Sequence, residues 1–178
     1  MQWRSYRVVS GFLFIASVVG MAFALYLEHF QGLEPCPLCV FQRIGLIGLG
    51  LISLIAFLHN PKSTGLKRGY AFLGTLAIGW STGVAARHVW LQNLPPDQVP
   101  SCGPGLDYLV DALPMKAVLQ QVLSGSGECA VIDWTFLGQS LPVWSLLFFS
   151  VLALISLWQL LRKYPFVAST TFGKVKKK

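Results

Sequence analysis

The chain has 178 residues, of which 54% are hydrophobic and only 12% are charged, and its mean hydropathy is +0.59. So few charged side chains could not cover the surface of a soluble domain of this length, which excludes an ordinary soluble globular protein. The formal net charge of +7 does not indicate a nucleic-acid partner, because the basic residues form no patch with interleaved aromatic side chains.

The first predicted element is an apolar run without charges at residues 8–27. A helix of about 20 apolar residues spans the hydrocarbon core of a bilayer, so this run predicts a first membrane-spanning helix. A secretory signal peptide is the competing interpretation, since Ala22, Phe23 and Ala24 resemble a cleavage site. We favour a retained helix because the run is longer than the usual apolar core of a signal peptide.

The loop at residues 28–39 ends in a closely spaced thiol pair, Cys36 and Cys39, with Pro37 between them. If the chain turns helical at Pro37, Cys39 lies in the first turn and Arg43 lies on the same helical face. The helix amides and the guanidinium then both favour a negatively charged sulfur, which is the reactive form of cysteine. The pair therefore predicts a redox-active dithiol at a membrane surface, with a structural disulfide or a zinc site as the alternatives.

Zinc requires more ligands than the sequence places together. A structural zinc site takes four thiolate or imidazole ligands at suitable spacing. Cys102 and Cys129 are far apart in the chain and do not form a second Cys-x-x-Cys. The sequence therefore predicts no metal site.

Residues 40–58 and 70–91 predict the second and third spans, which a short basic loop separates. Small residues in the third span would allow neighbouring helices to pack closely. The glycines among them are Gly74, Gly79 and Gly83.

Polar residues mark one end of these two spans. Arg43 follows the thiol pair, and His88 and Gln92 end the third span at the depth predicted for Arg43. An arginine near a helix end is often only an anchor to lipid phosphates, but ionisable residues within spans are functional candidates. A histidine with donors nearby could bind a carbonyl oxygen and supply a proton. In apolar and aromatic surroundings, this combination indicates a site for a quinone, a flat and lipid-soluble electron carrier.

The longest loop, residues 92–141, contains the other two cysteines, Cys102 and Cys129. Apolar residues at helical spacing predict short amphipathic helices in this loop, which could lie flat on the membrane. The two cysteines can form a structural staple, of a kind that stabilises a protein by about 2–4 kcal/mol, or an exchange-active pair. Four cysteines allow three connectivities, and the sequence does not choose between them.

Residues 142–161 predict the fourth span, with Ser140 as its N-cap and Pro142 in its first turn. Lysines and arginines crowd the N-terminus, the loop after the second span and the C-terminus, whereas all seven acidic residues lie on the other side. Because positive charge stays cytoplasmic, we predict cytoplasmic termini and, in a bacterium, periplasmic cysteine pairs. The predicted fold is an all-α membrane protein of one domain, residues 1–178. It is a four-transmembrane-helix bundle whose long periplasmic loop carries a short amphipathic helix.

Further motifs complete the pattern. They are Pro-Cys-x-Leu-Cys with an arginine four residues on, His88 with Gln92, Gly-Glu-Cys, Trp134-x-Phe136-Leu137-Gly138 and Pro142-x-Trp144. With the four spans and the two outer loops, these motifs resemble the DsbB family, the disulfide bond formation proteins B of the bacterial inner membrane. The resemblance covers nearly the whole chain, and the motifs together are specific, whereas an isolated Cys-x-x-Cys would not be.

The resemblance implies a membrane thiol:quinone oxidoreductase. In this family a reduced DsbA-like protein, a thioredoxin-fold oxidase of the periplasm, attacks the disulfide that corresponds to Cys102–Cys129 and joins Cys102 in a mixed disulfide. The electrons pass to the Cys36–Cys39 pair, and the Cys39 thiolate meets a ubiquinone or menaquinone bound close to Arg43.

The resemblance also assigns His88 and Gln92 to the quinone site. Gln42 stands where some family members have an acid, so it receives no role. A quinone is needed because DsbA is a strong oxidant, and its reoxidation through a more reducing disulfide is uphill unless electrons are removed at the far end.

Three alternatives to this function remain open. The chain could be a four-span structural or adhesion protein with disulfide-stapled outer loops, or a membrane reductase that runs the same thiols in reverse, as in vitamin K epoxide reductase relatives. It could also be a paralogue that serves a different thiol partner. Trapping of a mixed disulfide by a Cys129→Ala variant would exclude the structural protein, because a staple has no thiol partner to capture.

Overall fold

The computed structural model describes residues 6–33, 35–95, 97–100, 108–109, 111, 113–124, 127–132 and 134–162. The helices are α1 (Tyr6–Gln31), α2 (Pro37–His59), α3 (Thr64–Gln92), α4 (Met115–Ser124) and α5 (Leu141–Leu161). A 3₁₀ helix (Gly127–Ala130) and two short strands, β1 (Thr135–Phe136) and β2 (Gln139–Ser140), lie between α4 and α5. Cys102 lies outside the described residues.

Three of the described helices, α1, α2 and α5, are long and apolar enough to cross a membrane. They contain the predicted spans 8–27, 40–58 and 142–161. Large apolar side chains project outward from all three, including Ile15, Ile55 and Leu154, each more than half exposed. Because such a surface suits lipid rather than water, the chain is a multi-pass membrane protein. The predicted span 70–91 lies within α3, a helix of 29 residues that is not among these three.

The four long helices pack side by side, with α2 between α1 and α3, and with α5 against α3. Apolar side chains from all four fill the space between them, and we call this set the central core. Its buried members are Leu13, Leu46, Leu49, Ile78, Ala85, Phe149 and Leu152. Since every long helix contributes to one core, their ends are held in fixed positions relative to one another.

Helices α2 and α3 approach each other closely at Gly45 of α2. A Cβ at this position would collide with Ser81 Oγ and would lie 2.6 Å from Ala77 O on α3. Ser81 Oγ also donates a hydrogen bond to Gln42 O across the same interface, at 2.8 Å. Only a residue without a side chain fits here, and the interface fixes α2 against α3.

The predicted packing glycines of α3 have different surroundings. A Cβ at Gly74 would lie 3.3 Å from Leu49 Cδ1, so this glycine does face a neighbouring helix. Gly79 and Gly83 have open space around the position of a Cβ. The prediction is therefore confirmed for Gly74 and wrong for the other two, because the sequence does not give the rotation of α3 about its axis.

The segment after α3 builds a second apolar cluster at one end of the bundle, which we call the loop-side core. Its buried members are Leu38, Val84, Leu91, Leu109, Val118, Val122 and Cys129. Val118 and Val122 come from α4, so the apolar face of this amphipathic helix packs against protein. The sequence analysis considered a position flat on the membrane for such helices, and the structure favours a position over the ends of α2 and α3.

A tight hairpin leads the chain into α5. Leu137 and Gly138 both have positive φ angles, 52° and 77°, which is the backbone of the two-residue turn that suits twisted hairpins. Ser140 occupies the N-cap position of α5 with Pro142 in the first turn, as predicted. Its hydroxyl makes no cap hydrogen bond and instead donates to Gln92 Oε1 at 2.6 Å. The predicted cap residue thus joins α5 to the end of α3.

Candidate functional site

The thiol pair lies at the N-terminus of α2. Cys36 is the N-cap residue in an extended conformation, Pro37 begins the helix, and Cys39 is in the first turn. Proline suits this position because its fixed φ matches a helix and its missing amide hydrogen would have no partner there. Cys36 and Cys39 therefore share one edge of the helix, and their Sγ atoms lie 3.2 Å apart. The prediction that the helix begins at Pro37 with Cys39 in its first turn is confirmed.

An apolar cavity of about 360 Å³ opens on one side of this pair, between α1, α2 and α5. Its walls are aliphatic and aromatic, with Phe23 from α1 and Trp144 and Phe148 from α5. Cys39 and Arg43 both line the cavity. We call this the cavity side of the thiol pair.

Arg43 is held in place at the cavity by an acidic residue. Its Nη1 donates to Glu28 Oε2 in the last turns of α1, and both side chains are partly buried. The sequence analysis placed Arg43 near Cys39 but did not pair it with Glu28. The sequence did offer one sign of this pairing. Glu28 follows directly after the first apolar run, so it is expected on the same side of the membrane as Arg43.

His88 lies directly beneath the two sulfurs. It is buried, with 3% of its surface exposed. Its Nε2 is 3.9 Å from Cys36 Sγ and its Nδ1 is 3.9 Å from Cys39 Sγ. Gln42 Nε2 is 3.4 Å from the same Nδ1, so Gln42, to which the sequence analysis gave no role, orients the imidazole.

Cys129 approaches the pair from the long loop. It lies in the 3₁₀ helix Gly127–Ala130 and is almost fully buried. Its Sγ, the Cys36 Sγ and a ring nitrogen of His88 all lie within 4.8 Å of one another. Cys36 and His88, and likewise His88 and Cys129, are more than 40 positions apart in the chain. No local spacing in the sequence therefore predicts that they meet. We call the side of the pair with Cys36, His88 and Cys129 the loop side.

Gln92 ties the loop to α3. Its Oε1 accepts from Ser140 Oγ, and its Nε2 lies 3.4 Å from Val131 O, two residues after Cys129. A small pocket of about 70 Å³ lies between Gln92 and the thiol pair. Gln92 therefore positions the segment that carries Cys129.

The structure brings together most of the predicted site residues. Cys36, Cys39, His88 and Cys129 converge, and Arg43 lines the cavity beside Cys39. His88 and Gln92 line the small pocket, whereas the large cavity is lined by Cys39, Gln42 and Arg43. Their assignment to a quinone site stays a prediction, as does the role of Cys102.

The arrangement suits thiol–disulfide chemistry. Exchange requires a thiolate within reach of a disulfide sulfur, and it is faster when the displaced sulfur is stabilised as an anion. The sulfur of Cys129 is near Cys36, and the cation nearest to Cys39 on the cavity side is Arg43. The His88 imidazole, 3.9 Å from each sulfur of the pair, is placed to exchange a proton with either of them.

Comparison with known proteins gives a consistent result. The family model for disulfide bond formation protein DsbB matches residues 6–159. A disulfide bond formation protein B of Acinetobacter baylyi is 72% identical over 169 residues, which are 95% of this chain and 98% of that protein. The protein of the same name from Acinetobacter baumannii is 74% identical over 161 residues, with 90% and 94% covered. One from a Psychrobacter species is 56% identical over 164 residues, with 89% and 95% covered.

Proposed function

This chain belongs to the family of disulfide bond formation protein DsbB, and on that basis we propose that it is a membrane thiol:quinone oxidoreductase that reoxidises a DsbA-like protein of the periplasm. Family membership identifies a membrane protein of disulfide bond formation, and the proposal adds the route of the electrons. One observation carries it. The Cys36–Cys39 pair separates an apolar cavity containing Arg43 from the loop side, where Cys129 approaches Cys36.

The size and lining of the cavity support a quinone as its ligand. Its volume of about 360 Å³ falls within the range of roughly 300–1,000 Å³ that ligand sites occupy. The pocket on the loop side, at about 70 Å³, has room for only a few water molecules. A ubiquinone or menaquinone in the cavity supplies an acceptor for two electrons and two protons. Phe23 and Trp144 would face its ring, and Arg43 and Gln42 would offer donors to its carbonyl oxygens.

Arg43 can bind a ligand without leaving its ion pair. A guanidinium has five N–H donors, and the contact with Glu28 uses Nη1. The remaining donors are available to a carbonyl oxygen or to the Cys39 thiolate. Arg43 lines the cavity, so a ligand there would meet the guanidinium end of this partly buried and overall neutral ion pair.

The loop side supports a relay of thiol–disulfide exchanges. A thiolate of the partner attacks Cys102 in the Cys102–Cys129 disulfide and displaces Cys129 as a thiolate. Cys129 then attacks Cys36 in the Cys36–Cys39 disulfide and displaces Cys39 towards the cavity.

Two further displacements complete the exchange. The second partner thiol displaces Cys102 and leaves the partner oxidised. Cys102 then attacks Cys129 and displaces Cys36, so that two electrons have moved from the partner dithiol to Cys36 and Cys39. His88, 3.9 Å from each of these sulfurs, can exchange one proton with either of them.

We also propose that α3 crosses the membrane as the predicted third span, which gives four spans in one domain, residues 1–178, and that this membrane is the bacterial inner membrane. At 29 residues, α3 is about 43 Å long, and α2 and α5 pack against it. The end of the bundle opposite the thiols has basic side chains against aromatic rings, with Arg7 over Phe57 and Lys67 over Tyr6. This placement supports cytoplasmic termini and periplasmic thiols.

Quinone absorbance provides the test of the function. Purified protein, mixed with a reduced DsbA-like protein and ubiquinone or menaquinone, should consume the quinone. Consumption should fall to background in Cys36→Ser and Cys39→Ser. With the oxidised partner, a Cys129→Ala variant should accumulate a mixed disulfide, because its free Cys102 thiolate attacks the partner disulfide and displaces one partner thiolate; a structural staple would not do so. Quinone consumption that survives loss of both Cys36 and Cys39 would exclude the proposed route.

A further inference from the structure

The loop side contains a set of ligands that suits a metal ion. Cys36, His88 and Cys129 each offer one ligand atom, and these atoms lie within 4.8 Å of one another. Thiolate and imidazole are the ligands that thiophilic cations prefer. We propose that the reduced protein binds a divalent cation of the Zn²⁺ class at Cys36, His88 and Cys129.

The distances are close to those of a formed site. With Zn–S near 2.3 Å and Zn–N near 2.0–2.1 Å, ligand atoms of a tetrahedral site lie roughly 3.5–3.8 Å apart. The Cys36 Sγ to His88 Nε2 distance is 3.9 Å, and all three pairs lie within 4.8 Å. Side-chain shifts of about an ångström therefore complete the geometry, and the backbone need not move.

The surroundings of His88 also suit coordination. Metal-bound histidine usually donates its other ring N–H to an oxygen acceptor, which fixes the ring. Gln42 lies 3.4 Å from Nδ1, and its amide can turn so that Oε1 accepts the Nδ1 proton. The ring can then bind the metal through Nε2, which lies 3.9 Å from Cys36 Sγ.

Burial favours retention of the ion, and the pocket leaves space for a fourth ligand. His88 and Cys129 are nearly inaccessible to solvent, so few competing ligands reach them. The adjacent pocket of about 70 Å³, which Cys36 and His88 line, can hold a water molecule on the metal. Three protein ligands with one open position is an arrangement that zinc accepts.

Binding depends on the redox state. Each cysteine must lose its proton to coordinate the metal, and a cysteine in a disulfide cannot do so. The site therefore exists only when Cys36 and Cys129 are both reduced. A bound ion would hold these sulfurs as thiolates and prevent their exchange, so turnover would stop until the ion is removed. This consequence for turnover rests on the proposed function, whereas the binding itself does not.

Cobalt provides a spectroscopic test on the full-length protein in detergent. The protein is reduced with a phosphine, freed of reductant under anaerobic conditions and titrated with Co²⁺ alone. We expect one equivalent to bind, with a thiolate-to-cobalt charge-transfer band and the visible bands of a tetrahedral site, and Zn²⁺ to displace it. Octahedral spectra without charge transfer, or equal binding by the oxidised protein, would overturn the proposal.

Variants of the ligands make the assignment specific. Cys36→Ser, Cys129→Ser and His88→Ala should lose the charge-transfer band, and His88→Cys should restore it by supplying another thiolate. Circular dichroism establishes that each variant keeps its helices. His59→Ala is the matched control, because His59 contacts Tyr70 near the start of α3, at the opposite end of the bundle.

Further variants and a turnover assay complete the test. Cys102→Ser should also retain the charge-transfer band, since Cys102 is not among the three ligands. Loss of the band in Cys102→Ser would contradict the proposed set of ligands. Persistence of the band in Cys129→Ser would contradict it as well. In turnover assays, Zn²⁺ should inhibit and a chelator should restore the rate. If cobalt binds but Zn²⁺ does not inhibit, the predicted effect on turnover is wrong and the proposed metal site stands. A protein that binds cobalt but never consumes quinone would instead contradict the proposed function.

Discussion

The cavity side and the loop side of the thiol pair differ in size and in chemistry. The cavity side is large and apolar, with one ion pair between Arg43 and Glu28 at its edge. The loop side is small and contains a buried histidine and a third sulfur. Under the proposed function, the quinone occupies the cavity side and thiol exchange takes place on the loop side, where, among the described residues, Cys129 lies near Cys36. The comparison shows that the two sides of a single helical turn differ in size and in polarity.

The two sides also depend on different parts of the fold. Helices α1, α2 and α5 form the cavity, so its shape follows from the packing of the bundle. The loop side requires α3 and the segment around Cys129, which side-chain hydrogen bonds hold in place. Substitutions on the cavity side should therefore change quinone binding, and substitutions on the loop side should change thiol exchange, when the two are measured in separate assays.

Substitution of Cys129 should give the largest difference between the two activities. Cys129→Ser should reduce turnover with the protein partner to background, because the relay loses the sulfur that attacks Cys36. A small dithiol such as dithiothreitol can reduce the Cys36–Cys39 disulfide directly, so this variant should still consume quinone with dithiothreitol as donor. Cys39→Ser is the matched control and should be inactive with both donors. Equal loss of both activities in Cys129→Ser would show that the two sides are not separable.

Arg43→Ala should act on the cavity side alone. Hydrogen bonds to charged groups contribute about 1.5–3 kcal/mol, so the KM for quinone should rise about 10- to 100-fold. The rate of thiol exchange with the partner should not change. Arg87→Ala is the control, because the Arg87 guanidinium lies 4.1 Å from the centre of the Trp90 ring.

A second variant separates lost binding from an unpaired acid. Arg43→Ala leaves the partly buried Glu28 carboxylate without its cation, which is itself destabilising. The double variant Arg43→Ala with Glu28→Gln removes this effect. It should recover stability but not quinone affinity. Recovery of a normal KM in the double variant would assign the defect to Glu28.

Contacts between residues that are close in the sequence could be predicted, whereas contacts between residues far apart in the sequence could not. Cys36, Pro37, Cys39 and Arg43 lie within about two turns of helix, so the start of α2 and the face shared by Cys39 and Arg43 follow from spacing. Glu28 joins Arg43 through the packing of two helices, which no local pattern encodes. The position of Cys129 depends on how the whole loop folds back.

Two residues show why identity alone does not give a role. The family resemblance assigns Gln92 to the quinone site, and the structure adds that its amide contacts Ser140 and Val131; the assignment itself stays a prediction. Ser140 was predicted to cap α5, and its hydroxyl turns to Gln92 instead. For Ser140 a tertiary contact replaced the local one that the sequence suggested.

Gly45→Ala should moderately disturb both the cavity side and the loop side, because it changes the packing of α2 against α3. The new methyl group would collide with Ser81 and Ala77, and overpacking of this kind costs about 1–3 kcal/mol. The α2–α3 interface carries Cys39 and His88, so thermal stability and turnover should fall together. Gly79→Ala is the matched control, because a methyl group there meets open space. Similar midpoints for the two variants in thermal unfolding would contradict the close approach.

Gln92→Ala should have the smallest effect, and it acts on the loop side. The variant loses both contacts of the amide, and because each hydrogen bond is worth about 0.5–1.5 kcal/mol, a step that depends on either one slows by about 2- to 10-fold. We expect the exchange between Cys129 and Cys36 to slow while the KM for quinone stays unchanged. Gln92→Glu keeps the acceptor for Ser140 Oγ but replaces the donor to Val131 O, so it separates the two contacts. A raised KM with normal exchange would instead place Gln92 on the cavity side, as the family resemblance implies. The direction of this small effect therefore decides whether Gln92 holds the loop or binds the quinone.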